Sequence, residues 1–254
     1  MKKNNIPIDT QRSYNVVKHN DLIQKSRYSL TVPEQKMIVY LISKIQLHDT
    51  NLNMYEFKIN EFCEICGIDE KSGGNYTMLK ETVLNLSNKG FWVNVNGEFV
   101  SMRWIEKARI SPKSGNIKIK LDDDLKPYLL ELKEKFTSYS LYFILAMKSK
   151  YSIRMYELLK SYQNLNQCEF EIERLKKMLD AETYDIFANF RMKVIDIAIR
   201  EINTYSDIKV SYSLEKLGKM FNKIKFLIAP KHTLDFDESM NTWKNIEEKL
   251  NPKD

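Results

Sequence analysis

The 254-residue chain is 43% hydrophobic and 29% charged, a globular composition with room for one or two packed cores. No apolar run reaches the roughly 18 residues of a membrane span, and the basic N-terminus MKKNNIPIDTQRS has no hydrophobic segment, so neither anchor nor signal peptide is expected and the chain is placed in the cytoplasm. The net charge of +6 is uneven: four Lys against six Asp and Glu leave Lys231–Asp254 at −2 and the rest at +8, which suits a nucleic-acid partner.

Residues 1–14 read as a flexible tail, followed by an N-terminal domain over 15–135. From Val32, Met37, Ile38, Leu41, Ile42 and Ile45 recur at helical spacing behind Pro33 and Glu34, which predicts a long amphipathic helix. A short strand, Tyr55 to Ile59, then runs into a short helix with Asn60 as N-cap and Gly67 as stop. Cys63 and Cys66 form a CxxC on this helix, but Cys168 and the three histidines (His19, His48, His232) are scattered, so the thiols are read as core groups and no metal is expected. The odd cysteine count suits a reducing compartment. After Gly73-Gly74, Leu79, Val83 and Leu86 line a third helix that stops at Gly90. Strands follow: FWVNVNGEFVSMRWI with a tight turn at Asn96-Gly97, and KARISPKSGNIKIKL with a longer basic turn at Ser111–Asn116. This order of helix, strand, helix, helix and strands is that of a winged helix.

The second half repeats the order. SIRMYELLKSYQN takes the place of the first helix, and Glu169-Phe170-Glu171-Ile172 matches Glu56-Phe57-Lys58-Ile59 at a distance of 113 residues. NFRMKVIDIAIREINTYSD and the hairpin VSYSLEKLGKMFNKIKFLI complete it. In the hairpin Val210, Tyr212 and Leu214 alternate on one arm, Ile224, Phe226 and Ile228 on the other, and Gly218 turns the chain. The fold class is therefore α+β, two tandem winged helices related by duplication, with the join near Phe136 to Ser140 and a second domain over 136–230. The acidic segment 231–254 carries Met240, Trp243, Ile246 and Leu250 at rough helical spacing and is read as a short helix that docks on the body.

In a winged helix the third helix enters the major groove and the wing touches phosphate. A helical wheel places Phe190, Val194, Ile197, Ala198 and Glu201 on the core side and Asn189, Lys193, Asp196 and Arg200 on the other, with Arg191 near the boundary. Asn can read adenine, and Lys can donate to guanine or phosphate. The competing reading pairs Lys193, Asp196 and Arg200 among themselves on a solvated face. Lys216, Lys219 and Lys223 make the wing cationic. In the first domain Tyr76, Thr77 and Lys80, beside Glu81, form a thinner version of the same surface, and its strands from Trp104 to Ile119 offer an alternative, self-association along a sheet edge. Catalysis is not expected: there is no GxxxxGK[ST], no GxGxxG and no His-x-His pair, and Asp122-Asp123-Asp124 reads as a helix cap.

VVKHNDLIQKSRYSLTVPEQKMIVYLISKI, FTSYSLYFILAMKSKYSIRMYELLKSY, and NFRMKVIDIAIREIN followed by VSYSLEKLGK resemble the Rep_3 family of plasmid replication initiators, theta-type proteins that bind iterons; the likeness covers nearly all of residues 14–228. The resemblance implies a monomer that binds direct repeats of an origin with both domains, the second dominant. It also implies a dimer, joined through the first domain, that represses its own promoter at an inverted repeat. A host initiator ATPase and the replicative helicase would be partners, and no cofactor is implied. The basic start of the family's last recognition helix falls on Arg191, Met192 and Lys193, with methionine where a basic residue is common. The wing Lys216-Leu217-Gly218-Lys219 keeps the glycine and its basic flank. The readings that compete with an initiator are a winged-helix repressor without a replication role and a basic protein-interaction scaffold.

Overall fold

The structure, a computed structural model, describes residues 15–46, 48–65, 74–111 and 113–231. The N-terminal tail, Cys66, Gly67, Gly73 and the proposed tail helix lie outside them. In chain order the first half comprises β1 (Asn15–His19), α1 (Asn20–Gln24), β2 (Ser26–Arg27), α2 (Val32–Ser43), β3 (Met54–Lys58), α3 (Ile59–Ile65), α4 (Asn75–Asn88), β4 (Gly90–Val95), β5 (Glu98–Arg103), β6 (Ile105–Ser111), β7 (Asn116–Leu121), α5 (Lys126–Leu129) and β8 (Phe136–Ser140). The second half has α6 (Leu141–Ala146), α7 (Lys150–Lys160), β9 (Gln167–Glu171), α8 (Ile172–Met178), α9 (Phe187–Phe190), a π turn (Arg191–Ile195), α10 (Asp196–Tyr205), β10 (Ile208–Leu217) and β11 (Met220–Pro230).

Two three-stranded sheets share one plan. The second arm of a hairpin lies between the first arm and an earlier short strand, giving β3-β7-β6 in one half and β10-β11-β9 in the other. The strand–helix units β3–α3 and β9–α8 have identical lengths and lie 113 residues apart from first residue to last. Because α3 starts at Ile59, Asn60 sits inside its first turn and is not its N-cap. The first half also carries an insertion without a counterpart, the β4–β5 hairpin, which pairs with β2 in a separate sheet. Its turn has positive φ at both Asn96 (53°) and Gly97 (94°), the two-residue geometry that suits the right-handed twist of paired strands.

Helix α2 departs from the amphipathic expectation. Every residue from Glu34 to Ser43 is buried, including Gln35 and Lys36. The second half covers its polar side: the Lys36 ammonium donates to the Leu145 carbonyl at 2.8 Å, and the Gln35 amide to the Lys150 carbonyl at 3.0 Å. Glu34 accepts from the Thr31 N–H at 2.7 Å at the start of the helix and from Lys89 at 2.7 Å.

Between the halves runs a seam of buried polar groups. Strand β1 pairs antiparallel with β8, Val16 opposite Tyr139, so the first described strand is laced to the one that leads into the second half. Beneath that pair Lys18 on β1 meets Glu157 on α7 at 2.5 Å, with side chains 3% and 2% exposed, and Tyr139 donates its hydroxyl to the same carboxylate. Burial alone would raise the Glu157 carboxyl, but Lys18, Tyr139 and Arg154 together hold it below the usual carboxylate range; burial pushes the Lys18 ammonium down. One turn earlier on α7, Arg154 donates to the Ser26 carbonyl at 2.9 Å and to the Tyr28 hydroxyl at 3.0 Å, its guanidinium 4.4 Å from the Tyr28 ring centroid. Tyr28 in turn packs edge-on against Trp104 and Phe91, which stack at 4.3 Å.

Removing one member of a buried ion pair strands the other charge in the interior. Glu157→Gln is therefore expected to lower unfolding stability by about 3–5 kcal/mol in a denaturant titration, whereas the double change Lys18→Met with Glu157→Leu recovers most of that loss.

Candidate nucleic-acid interface

The last helix of the second half is continuous from α9 through the π turn into α10. Phe190, Val194, Ile195, Ala198 and Ile202 are fully buried along it. Phe190 and Val194 sit before and within the π turn, whose extra residue advances the core face so that Ile195 joins the stripe. The helical wheel, which assumes one rotation per residue throughout, missed Ile195 and Ile202 and assigned Ile197 and Glu201 to the core. Both of these are half-buried. Glu201 instead accepts the backbone N–H groups of Lys148 and Ser149, each at 3.2 Å, and so holds the start of α7.

On the opposite side Arg191, Met192, Lys193, Asp196 and Arg200 are exposed, and Asn189 is half-buried. The pairing among Lys193, Asp196 and Arg200 does not form. Asp196 faces Arg191 at 3.7 Å and accepts the Tyr212 hydroxyl at 2.5 Å, while Lys193 and Arg200 enter no ion pair among the described residues. Burial and the Asp196 hydrogen bond push the Tyr212 phenol up to about 12, so it remains a donor at neutral pH.

Strands β10 and β11 form the wing. Gly218, at φ +63°, occupies the first place of a two-residue turn between Leu217 and Met220, where a side chain would be strained. The register shifts between Glu215, opposite Lys223, and Lys216, opposite Phe221, which leaves Asn222 as an extra residue. That bulge turns Phe221 toward α9: its ring lies 4.9 Å from Phe187, and the Lys216 ammonium sits 4.9 Å from the Phe221 centroid. At the base of the wing the Asn203 side chain exchanges two hydrogen bonds with the Val210 backbone, at 2.8 and 2.7 Å. Wing and helix are thus joined at Phe187–Phe221, Asp196–Tyr212 and Asn203–Val210.

The three wing lysines are not equivalent. Lys219 is exposed at the tip with no ion pair among the described residues, and Lys216 is exposed over Phe221. Lys223 is bound to Glu169 at 2.7 Å with Glu215 and Glu171 as cross-strand neighbours, and the Glu169 hydrogen bond raises its pKa. Leu217 and Met220 at the tip are each 75% exposed, a feature that sequence alternation conceals because both fall just beyond the half-buried ladder.

In the first half Thr77 and Lys80 are exposed on α4, whereas Tyr76 is half-buried against the core. The stretch Trp104 to Ile119 does not present an apolar edge: Trp104, Ile117 and Ile119 are buried, and the edge strand β6 shows Lys107 and Arg109 to solvent. Exposed apolar surface lies on the inserted β4–β5 hairpin, at Trp92 (55%), Phe99 (68%) and Val100 (38%). Among the described residues no group of three His, Cys, Asp or Glu side chains could hold a metal, and no helix is long and apolar enough to cross a membrane.

Two family models cover the two halves, the first running on through α6 and α7. One described as initiator replication protein, WH1, matches residues 15–160, and another, initiator Rep protein, WH2, matches residues 171–228. The chain belongs to the initiator replication protein family. It is a replication initiator built from two winged-helix domains. It is 27% identical over 233 residues to a replication initiation protein of Escherichia coli, an alignment that covers 87% of this chain and 71% of that one. Over 158 residues it is 30% identical to the PI protein of Escherichia coli, covering 55% of this chain and 52% of that one. The solved structure of the Pi initiator protein in complex with iteron DNA superposes with a TM-score of 0.71 at 22% identity, over 87% of this chain and 99% of that one, a likeness of fold.

The pairing states of the wing lysines separate their contributions in this initiator. Lys219→Ala is expected to reduce the slope of log affinity for duplex DNA against log salt by about 0.9, one counterion. Lys223→Ala, whose charge is matched by Glu169, is expected to leave the slope unchanged in the same anisotropy titration.

Proposed function

We propose that this chain starts replication of the plasmid that encodes it by binding directly repeated (iteron) DNA in the origin, both winged helices engaging one duplex. The observation that carries the reading is the buried seam. It joins two readers within a single chain, so a monomer offers two recognition helices in fixed relation, as binding to one repeat requires. The second domain supplies the main contact: Arg191, Lys193 and Arg200, with Asn189 and Met192, face the groove, and Lys216 and Lys219 clamp phosphate, with Lys223 a lesser contributor. Thr77 and Lys80, and to a smaller extent Tyr76, give the first domain a secondary contact.

Self-association as a homodimer in equilibrium with the monomer belongs to the first domain, and the exposed Trp92, Phe99 and Val100 on β4–β5 favour that hairpin as its surface. As a dimer the protein represses its own promoter at an inverted repeat. Strand opening is carried out in the cytoplasm with a host initiator ATPase and the replicative helicase, without nucleotide chemistry by this chain. A repressor with no replication role needs only one reader per chain in a dimer, and the second, rigidly attached reader tells against it.

The test is fluorescence anisotropy with a duplex bearing the plasmid's direct repeats against shuffled DNA, with solution mass measured in parallel. A monomer should prefer the repeat by about 10³ or more. Lys193→Ala should weaken repeat binding by about 1–3 kcal/mol if the side chain reads a base. An equal loss on shuffled DNA would make it a phosphate contact, and binding only by a dimer to an inverted repeat would favour the repressor.

A further inference from the structure

Met192 stands out on the recognition helix. Phe190 and Val194, two residues before and two after it, are both completely buried, so the core face of the helix passes through them. In an α turn and in the wider π turn alike, a residue midway between two core residues four apart points away from the core. Met192 therefore marks the outermost line of the helix, and it is 56% exposed. Arg191 and Lys193 flank it, both exposed and one to each side. A helix laid into a groove puts its outermost residue on the groove floor and its flanking residues toward the walls.

The walls of the major groove are phosphate, with base edges beside them, and long cations such as Arg191 and Lys193 suit either. On the floor, base edges present hydrogen-bonding groups that a thioether meets poorly, and one apolar group, the C5-methyl of thymine. A long, polarizable, unbranched side chain is well suited to cover a methyl group at a variable depth. Leaving an exposed methionine in water gains nothing, whereas placing it on a thymine methyl removes apolar surface of both from solvent. Resting on the DNA-binding reading above, we propose that Met192 is a specificity-determining residue that recognises the C5-methyl group of a thymine in the repeat. Its occupant is then a base pair and not a partner protein.

The test is a scan of the plasmid's direct-repeat duplex in which each thymine in turn is replaced by deoxyuridine, which removes only the methyl group. With the wild-type protein one position, or two adjacent ones, should lose about three- to fivefold in affinity, the scale of one methyl group returned to water. Met192→Ala should erase the sensitivity at that position while keeping the wild-type response elsewhere and the wild-type salt slope, since no ion is released at an apolar contact. Met192→Leu should retain the sensitivity. Because Met192 lies on the surface, thermal melting should match wild type for both variants. A wild-type protein that prefers the repeat yet tolerates deoxyuridine at every position overturns the inference and leaves the DNA-binding reading standing. So does a Met192→Ala profile identical to wild type. A wild-type protein with no preference for the repeat over shuffled DNA overturns both.

Discussion

Lys18 and Glu157 meet where neither reaches water, at the centre of the seam where β1 packs against α7. Taking a carboxylate and an ammonium out of water costs several kcal/mol for each, which their attraction offsets only when geometry and further hydrogen bonds are favourable. The Tyr139 hydroxyl supplies one such bond, and Arg154 lies close enough to help hold Glu157 ionised. The net gain over a well-packed apolar pair is small. The discrimination is large, because any sliding of α7 against β1 would leave a charge buried alone. A pair of this type restricts how α7 can sit against β1 more than it adds stability over a packed apolar pair. On the proposed binding to one duplex both helices meet the DNA together, so a shift at the seam carries through to the reading surface.

Within the second domain the same logic recurs at smaller scale. Asp196 takes the Tyr212 hydroxyl and faces Arg191, so one carboxylate ties the wing strand to the helix and limits where the guanidinium can go. Phe187, Phe221 and Lys216 form a second tie nearer the tip. The bulge at Asn222 is what makes this second tie possible, since regular alternation would have placed Phe221 on the outer face of the sheet. These contacts fix the wing against the helix, so that in the proposed contact with DNA the seating of the wing and the placing of Met192 go together. The π turn contributes by letting Val194 and Ile195 both reach the core while Arg191, Met192 and Lys193 all stay outside.

Most of the architecture was legible from local pattern. Alternation of Val210, Tyr212 and Leu214 against Ile224, Phe226 and Ile228, with Gly218 between, specifies a hairpin and its register, and the pairing observed is the one this alternation demands. Asn96-Gly97 specifies its turn for a similar reason. The strand–helix repeat at 113 residues reflects elements whose burial pattern is local, so both copies keep it. Features set by distant neighbours were not legible. Gln35 and Lys36 read as the polar side of a surface helix because nothing near them in sequence announces α6 and α7. Glu201 read as a core-side residue, and its hold on the chain that enters α7 depends on residues 52 and 53 positions away. Lys223 looked equivalent to Lys219 until Glu169, on another strand, was seen to hold it. A helical wheel cannot register a π turn at all, because the extra residue lies in the backbone and not in the composition.

The same neighbours decide which of the many cations can act on DNA. Formal charge gives a mildly basic chain, but Lys18, Lys89, Lys118, Lys120, Lys150, Lys160 and Lys223 are each bound to a carboxylate of this chain. Such a lysine brings its own counter-charge, and bringing it to phosphate displaces an internal partner and not a mobile ion, so it contributes little to counterion release. Lys193, Arg200 and Lys219 have no such partner among the described residues, and on the first recognition helix neither does Lys80. These four cations stand on α4, on the last helix of the second half and at the tip of the wing. On the proposed contact, attraction to phosphate orients the protein on the duplex and selectivity rests on fit at the base edges.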